Sequence, residues 1–208
     1  MQRKAIFYKT KTSFSFSKKY MPNGKINFFT LSLIFAFILI FSLIIIFQNS
    51  SCKKTIEINE NEVDILLDND YFIKTISLIK SANKSIHILL YNLNYYVNYP
   101  ESKVNLLIDE LEKAAKRGVE VKIIVDDYAT EKPVLTILKN KGINIKYDSK
   151  DITTHAKLII IDSKIIIIGS TNWSYYALEK NHEANIILYS SEIANEMEKY
   201  FEKIWGEV

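Results

Sequence analysis

HAKLIIIDSKIIIIGSTN, residues 155–172, is the stretch on which the reading of this chain turns. Leu158 to Asp162 and Ile165 to Ile168 are apolar runs of strand length around Ser163-Lys164, and they read as a hairpin. On a strand side chains alternate, so His155 and Lys157 are expected on one face, about 7 Å apart along the chain. One of them can attack a phosphorus atom while the other neutralises its oxygens. Gly169 closes the second strand without a side chain and so allows close approach. Ser170 and Asn172 stand where a helix is expected to begin, a natural place for an oxyanion.

Outward from the hairpin, helical and strand periods alternate. Tyr71, Phe72, Ile76 and Ile79 fall at helical spacing, and Ser85 to Tyr91 reads as a strand. Leu107, Leu111, Ala114 and Ala115 mark a second helix ending at Gly118, with Lys113, Lys116 and Arg117 in its last turn. Val121 to Val125 is a strand closed by Asp126-Asp127. Val134, Ile137 and Leu138 sit on a short helix stopped by Gly142, and Ile143 to Tyr147 is another strand. After the hairpin come a short helix from Asn172, a strand from Ala184 to Tyr189 and a final helix from Glu192 to Trp205. Such alternation predicts an α/β domain over residues 53–208, with helices layered on both faces of a mixed sheet in an α/β/α arrangement.

The spacing H-x-K-x4-D-x6-G-S-x-N resembles the signature of the phospholipase D superfamily. The segment from Leu66 to Asp127 extends the resemblance. There, Leu78-Ile79 precede Ala82-Asn-Lys-Ser-Ile86, Tyr91 follows its strand, and Lys116-Arg-Gly-Val119 leads into a strand ending in Asp. The resemblance implies a phospholipase D-like fold and a phosphodiesterase whose nucleophile is His155, forming a covalent phosphohistidine that water resolves. It implies that Lys157, Ser170 and Asn172 hold the phosphate oxygens. Glu183 would orient the His155 ring by accepting its second N–H, and Asp162, with Gly169, would be structural. No metal or cofactor is implied, and none of the usual metal-ligand spacings occurs. Most superfamily chains carry two such motifs, whereas His155 is the only histidine here followed by x-Lys. A second histidine is needed to protonate the leaving oxygen, so the resemblance implies a homodimer sharing one active site about a two-fold axis. His87 and His182 are read as structural or exposed.

With 208 residues, 48% hydrophobic and 12% aromatic, the chain suits one domain and an appendage, and global disorder is excluded. The net charge of +3 is unevenly spread. Residues 1–52 carry seven basic residues and no acid, while residues 53–208 hold 20 basic residues against all 24 acidic ones, a net of −4. Bulk charge therefore gives a nucleic-acid partner no support. The substrate expected is a phospholipid, cleaved at its head group, with a membrane-anchored endonuclease acting on DNA or RNA as the alternative. Tyr91, Tyr95, Tyr96 and Tyr99 suit a membrane interface, a quaternary ammonium group or stacked bases. A non-catalytic phosphodiester-binding membrane protein is a further alternative, and the presence of both His155 and Lys157 argues against it.

Ile26 to Phe47 runs for 22 residues without a charge. As a helix this is roughly 33 Å, against a hydrocarbon core of about 30 Å. The expectation is a transmembrane helix over residues 26–48 behind a basic cytoplasmic tail over residues 1–25. Seven Lys/Arg precede the segment and only Lys53 and Lys54 closely follow it, which predicts a single-pass protein with its catalytic domain on the extracytoplasmic side. Cys52, the single cysteine, excludes an intramolecular disulfide.

Overall fold

Unbroken runs of Ile, Leu and Val fit best in strands that are covered on both faces. In the computed structural model, which describes residues 32–41, 56–59 and 62–208, those runs form the centre of one seven-stranded sheet. After a helix over residues 32–41 (α1), the elements are β1 (Val63–Leu67), α2 (Asn69–Ser81), β2 (Ser85–Leu90), α3 (Lys103–Lys116), β3 (Glu120–Val125), α4 (Lys132–Asn140) and β4 (Asn144–Tyr147). They continue with β5 (Lys157–Ile161), β6 (Ile165–Gly169), α5 (Tyr175–Glu179), β7 (Ala184–Tyr189) and α6 (Ser191–Glu207). The strand order is β1-β7-β6-β5-β2-β3-β4. β2, β3 and β4 are parallel, joined by the crossover helices α3 and α4, and the other pairings are antiparallel. The sheet is therefore mixed, as the alternation predicts.

Alternation along each strand builds two cores. Ile86, Ile88, Leu90, Ile123, Ile159 and Ile161 pack with Ile79 of α2, Leu107 and Leu111 of α3 and Leu138 of α4. Leu89, Ile124, Leu158, Ile160 and Ile166 turn the other way, onto Ala194 and Phe201 of α6. Gly118 (φ 92°) and Gly142 (φ 79°) follow α3 and α4 in the left-handed region that favours glycine, where the sequence places the stops.

Four expectations change. Residues 32–41 are helical. No helix among the described residues is long and apolar enough to cross a membrane. The anchor over residues 26–48, attachment to a membrane and the assignment of sides are corrected accordingly. The tail 1–25, the flanks of the apolar stretch and Cys52 lie outside the described residues. β1 was not expected; it is an edge strand made by pairing with β7. The helix expected from Asn172 begins at Tyr175, capped by Ser174, because Trp173 bridges to Leu93 and its N–H donates to Asn92 O. His155 is not on a strand: β5 begins two residues later, at Lys157.

Candidate active site

The end of β2, the start of β5, the end of β6 and the start of β7 meet at one rim of the sheet, because antiparallel pairing sets Leu90 opposite Lys157 and Gly169 opposite Asn185. The motif residues gather there. Lys157 is 9% exposed, and its Nζ donates to His155 O at 2.8 Å. The same Nζ lies 3.3 Å from Nδ1 and 3.4 Å from Nε2 of His155, and 5.1 Å from the Tyr91 ring centroid. Burial holds this ammonium below the ordinary lysine range, with the Glu183 charge pulling the other way. A cation stripped of water in this way is a receptor for an anion. The exposed His155 ring leans on Tyr91, centroids 4.7 Å apart and planes at 49°.

Asn172 is oriented by its neighbour. Asn92 N–H donates to its Oδ1 at 3.3 Å, and because a backbone N–H can only donate, the facing atom must be the oxygen. The amide NH₂ of Asn172 is thereby turned outward as a pair of donors. Asn92 is fixed in turn by its Nδ2, which donates to Ala129 O at 3.0 Å.

Ser170 and Glu183 are committed to each other. The Ser170 hydroxyl donates to Glu183 Oε2 and accepts Ala184 N–H at 3.1 Å, while Glu183 Oε1 accepts Asn181 Nδ2 at 2.9 Å. The hydrogen bonds of Glu183 therefore go to Ser170 and Asn181 rather than to the His155 ring. Asp68 holds this corner by accepting Glu183 N–H at 2.9 Å and donating its own N–H to Glu183 O at 2.9 Å. That accepted N–H, with His182 beside it, keeps the Asp68 carboxyl below the ordinary range.

The glycine of the motif makes room for protein. A Cβ on Gly169 would stand 2.3 Å from Asn185 Oδ1 and 2.5 Å from Ala184 O, so no side chain fits against β7. Buried Asn185 uses that closeness to accept Thr171 N–H at 3.2 Å and to donate to Thr171 Oγ1 at 2.8 Å. At the opposite rim, Asp162 and Ser163, with φ of 54° and 52°, form the tight turn of the hairpin, closed by Lys164 N–H to Ile161 O at 3.0 Å. The Asp162 carboxylate accepts N–H groups from Asn83, Lys84 and Ser85 at 3.0, 2.7 and 3.1 Å. Burial alone would raise its pKa, but those three donors outweigh it and hold the group below the ordinary range.

Sequence reasoning missed Asn92, Asp68 and Asn185, whose only signal is polarity beside a strand end. Comparisons with known proteins point to one family. A family described as "Cardiolipin synthase, PLD-like domain" matches residues 75–205. The mitochondrial cardiolipin hydrolase of Mus musculus is 35% identical over 94 residues, which cover 44% of this chain and 42% of that protein. Cardiolipin synthase 1 of Staphylococcus epidermidis is 31% identical over 134 residues, 61% of this chain and 25% of that protein. The chain thus spans less than half the length of either relative. Among solved structures, the phospholipase D family member Nuc from Salmonella typhimurium matches with a TM-score of 0.61 at 25% identity, covering 69% of this chain and 93% of Nuc. NucT from Helicobacter pylori matches with a TM-score of 0.56 at 25% identity, over 70% and 97% of the two chains. With its His155–Asn172 signature assembled at the rim of such a sheet, the chain belongs to the phospholipase D-like family.

Proposed function

We propose that the protein is a phosphodiesterase of the phospholipase D type that cleaves a phospholipid at its head-group ester through a phosphohistidine on His155. The observation that carries this reading is a water-stripped cation set against an exposed imidazole, Lys157 Nζ lying 3.3 Å from Nδ1 of His155. A ring nitrogen of His155 attacks phosphorus, the bond to the leaving oxygen breaks, and that oxygen takes a proton from a second histidine. Water, deprotonated by the same second histidine, then attacks the phosphohistidine and frees His155. Lys157 and the outward amide of Asn172 hold the phosphate oxygens as charge develops on them. Ser170 acts through Glu183, to which its proton is donated, and Glu183 supports the charge on Lys157.

The second histidine is the partner's His155 in a homodimer with one shared site. His87 and His182 are both otherwise engaged, with Glu198 and Asp68 respectively, and neither is followed by x-Lys. The lipid reading is supported by relatives named as cardiolipin hydrolases and a cardiolipin synthase, and by the net charge of −4 over residues 53–208. One observation favours an endonuclease instead: Tyr96, Tyr99, Tyr175 and Tyr176 line a cavity of about 490 Å³, and such rings suit stacked bases.

The test gives the full chain cardiolipin, phosphatidylcholine, single-stranded DNA and duplex DNA side by side. Head-group release without DNA cleavage is expected. Cleavage of DNA alone would transfer the assignment to the second reading, and a folded dimer inert on all four would remove the enzyme reading. A peptide containing His155 should gain the mass of the phosphatidyl group that remains once the head group has left, trapped by a rapid quench. Sedimentation of an active monomer would refute the shared site.

A further inference from the structure

Residues 153–156, which bring His155 to the start of β5, lie outside any strand, so the sheet ladder does not fix them. Besides the Lys157 Nζ that donates to His155 O, they are held by a carboxylate that the proposed chemistry does not use. Asp148, 9% exposed, accepts Thr154 N–H through Oδ2 at 2.7 Å and Asp127 N–H through Oδ1 at 3.0 Å. Its own N–H donates to Val125 O, the last residue of β3, at 2.9 Å. The residue next to His155 is thus tied to the end of β3 through one residue, whose side chain grips Thr154 and whose backbone N–H grips Val125. The loop it grips, residues 126–130, also steadies the phosphate-binding side. Ala129 O accepts Asn92 Nδ2 at 3.0 Å, Thr130 Oγ1 accepts Leu93 N–H at 3.2 Å, and Asn92 N–H orients Asn172.

We propose that Asp148 is a positioning residue for His155: by holding Thr154 N–H against the end of β3 it sets where the imidazole stands relative to Lys157 and Asn172. The inference rests on His155 being the nucleophile. Two N–H donors facing one side chain demand two acceptor oxygens, and of the uncharged residues of this size none supplies both. Asparagine keeps the volume but turns an NH₂ toward one of the donors.

The experiment is Asp148→Asn in the full chain, read by steady-state kinetics and by the ring resonances of its three histidines. Misplacing a nucleophile by about 1 Å costs on the order of 10²-fold. A fall in kcat of roughly 10- to 100-fold at unchanged KM is therefore expected, with the His155 ring signal shifted or broadened and that of buried His87 unmoved. A raised KM at unchanged kcat, or a reduced kcat with the His155 signal unmoved, overturns the proposal. Should Asp148→Asn fail to fold, Asp148→Glu, which keeps both acceptors but displaces them by one methylene, is read by the same two measurements. His155→Ala that still turns over would sink the nucleophile reading itself. Asp148→Asn with unaltered kinetics and an unmoved His155 signal sinks the positioning role alone.

Discussion

His87 and His155 stand toward opposite rims of the same sheet, and each ring lies against an aromatic neighbour. His87 stacks on Phe201 at 4.7 Å with the planes 7° apart, and both of its nitrogens face carboxylates, Glu198 at 2.5 Å and Glu120 at 3.3 Å. Glu198 also accepts the Ser163 hydroxyl at 3.1 Å, so the imidazole joins β2, α6 and the hairpin turn. His155 is exposed, leans on Tyr91 and has a cation rather than an acid beside its nitrogens. The same side chain is a rivet where both nitrogens meet carboxylates and, in the function proposed above, a reagent where the ring is exposed beside a cation.

The largest expected effect removes the reagent. His155→Ala should lower kcat by about 10⁴-fold or more and abolish the covalent phosphoenzyme, with the thermal midpoint unchanged. A variant that kept the phosphoenzyme would collapse the contrast between the two histidines. Next, Lys157→Met keeps the buried stem and deletes the charge. It should lower kcat by roughly 10²- to 10³-fold on any phosphodiester that the wild type cleaves. The opposite rim should respond in stability. His87→Gln loses at least one of two carboxylate partnerships and should cost about 1–3 kcal/mol, seen as a lower denaturant midpoint at constant slope, with kcat unaltered. An activity loss there, with stability intact, would show that the rivet is also part of the machinery. The smallest effect is in pH. Burial lowers the Lys157 pKa while Glu183 raises it, so activity should fall with rising pH earlier than for an ordinary lysine. Glu183→Gln removes the opposing charge and should move that alkaline limb of kcat/KM to still lower pH; a limb that moved upward would contradict the sign.

Local pattern was enough for most of the fold. The helices ending before Gly118 and Gly142 and the strands β2, β3, β5, β6 and β7 follow from periodicity and stop residues, because each is stabilised by its own spacing of apolar groups. β1 escaped because Val-Asp-Ile-Leu-Leu has no clean alternation: Ile65 is 71% exposed and Leu67 55%, and only pairing with Ile186 and Ala184 makes them a strand. His155 read as a strand residue because its spacing from Lys157 fits strand alternation, yet the backbone before Lys157 bonds to the Asp148 side chain instead of a neighbouring strand. The motif gave the residue types at the rim but not their partners. Glu183 meets Ser170, and Asn172 takes its orientation from Asn92, through contacts across 13 and 80 residues of chain.

The turn at Asp162 also bears on how the sheet comes together in time. β5 and β6 are joined by the three residues Asp162 to Lys164 and can close within microseconds, since such a contact is local. Docking that hairpin on β2 joins Asp162 to amides 77 to 79 residues away, a loop closure whose entropy must be met before its contacts form. Asn83, Lys84 and Ser85 give their N–H groups to one carboxylate at the head of β2, so those three amides gain exchange protection only when the hairpin arrives. In a pulse-labelling experiment they are the natural clock for that step, and Asp162→Ala would leave them exchanging freely in an otherwise assembled sheet.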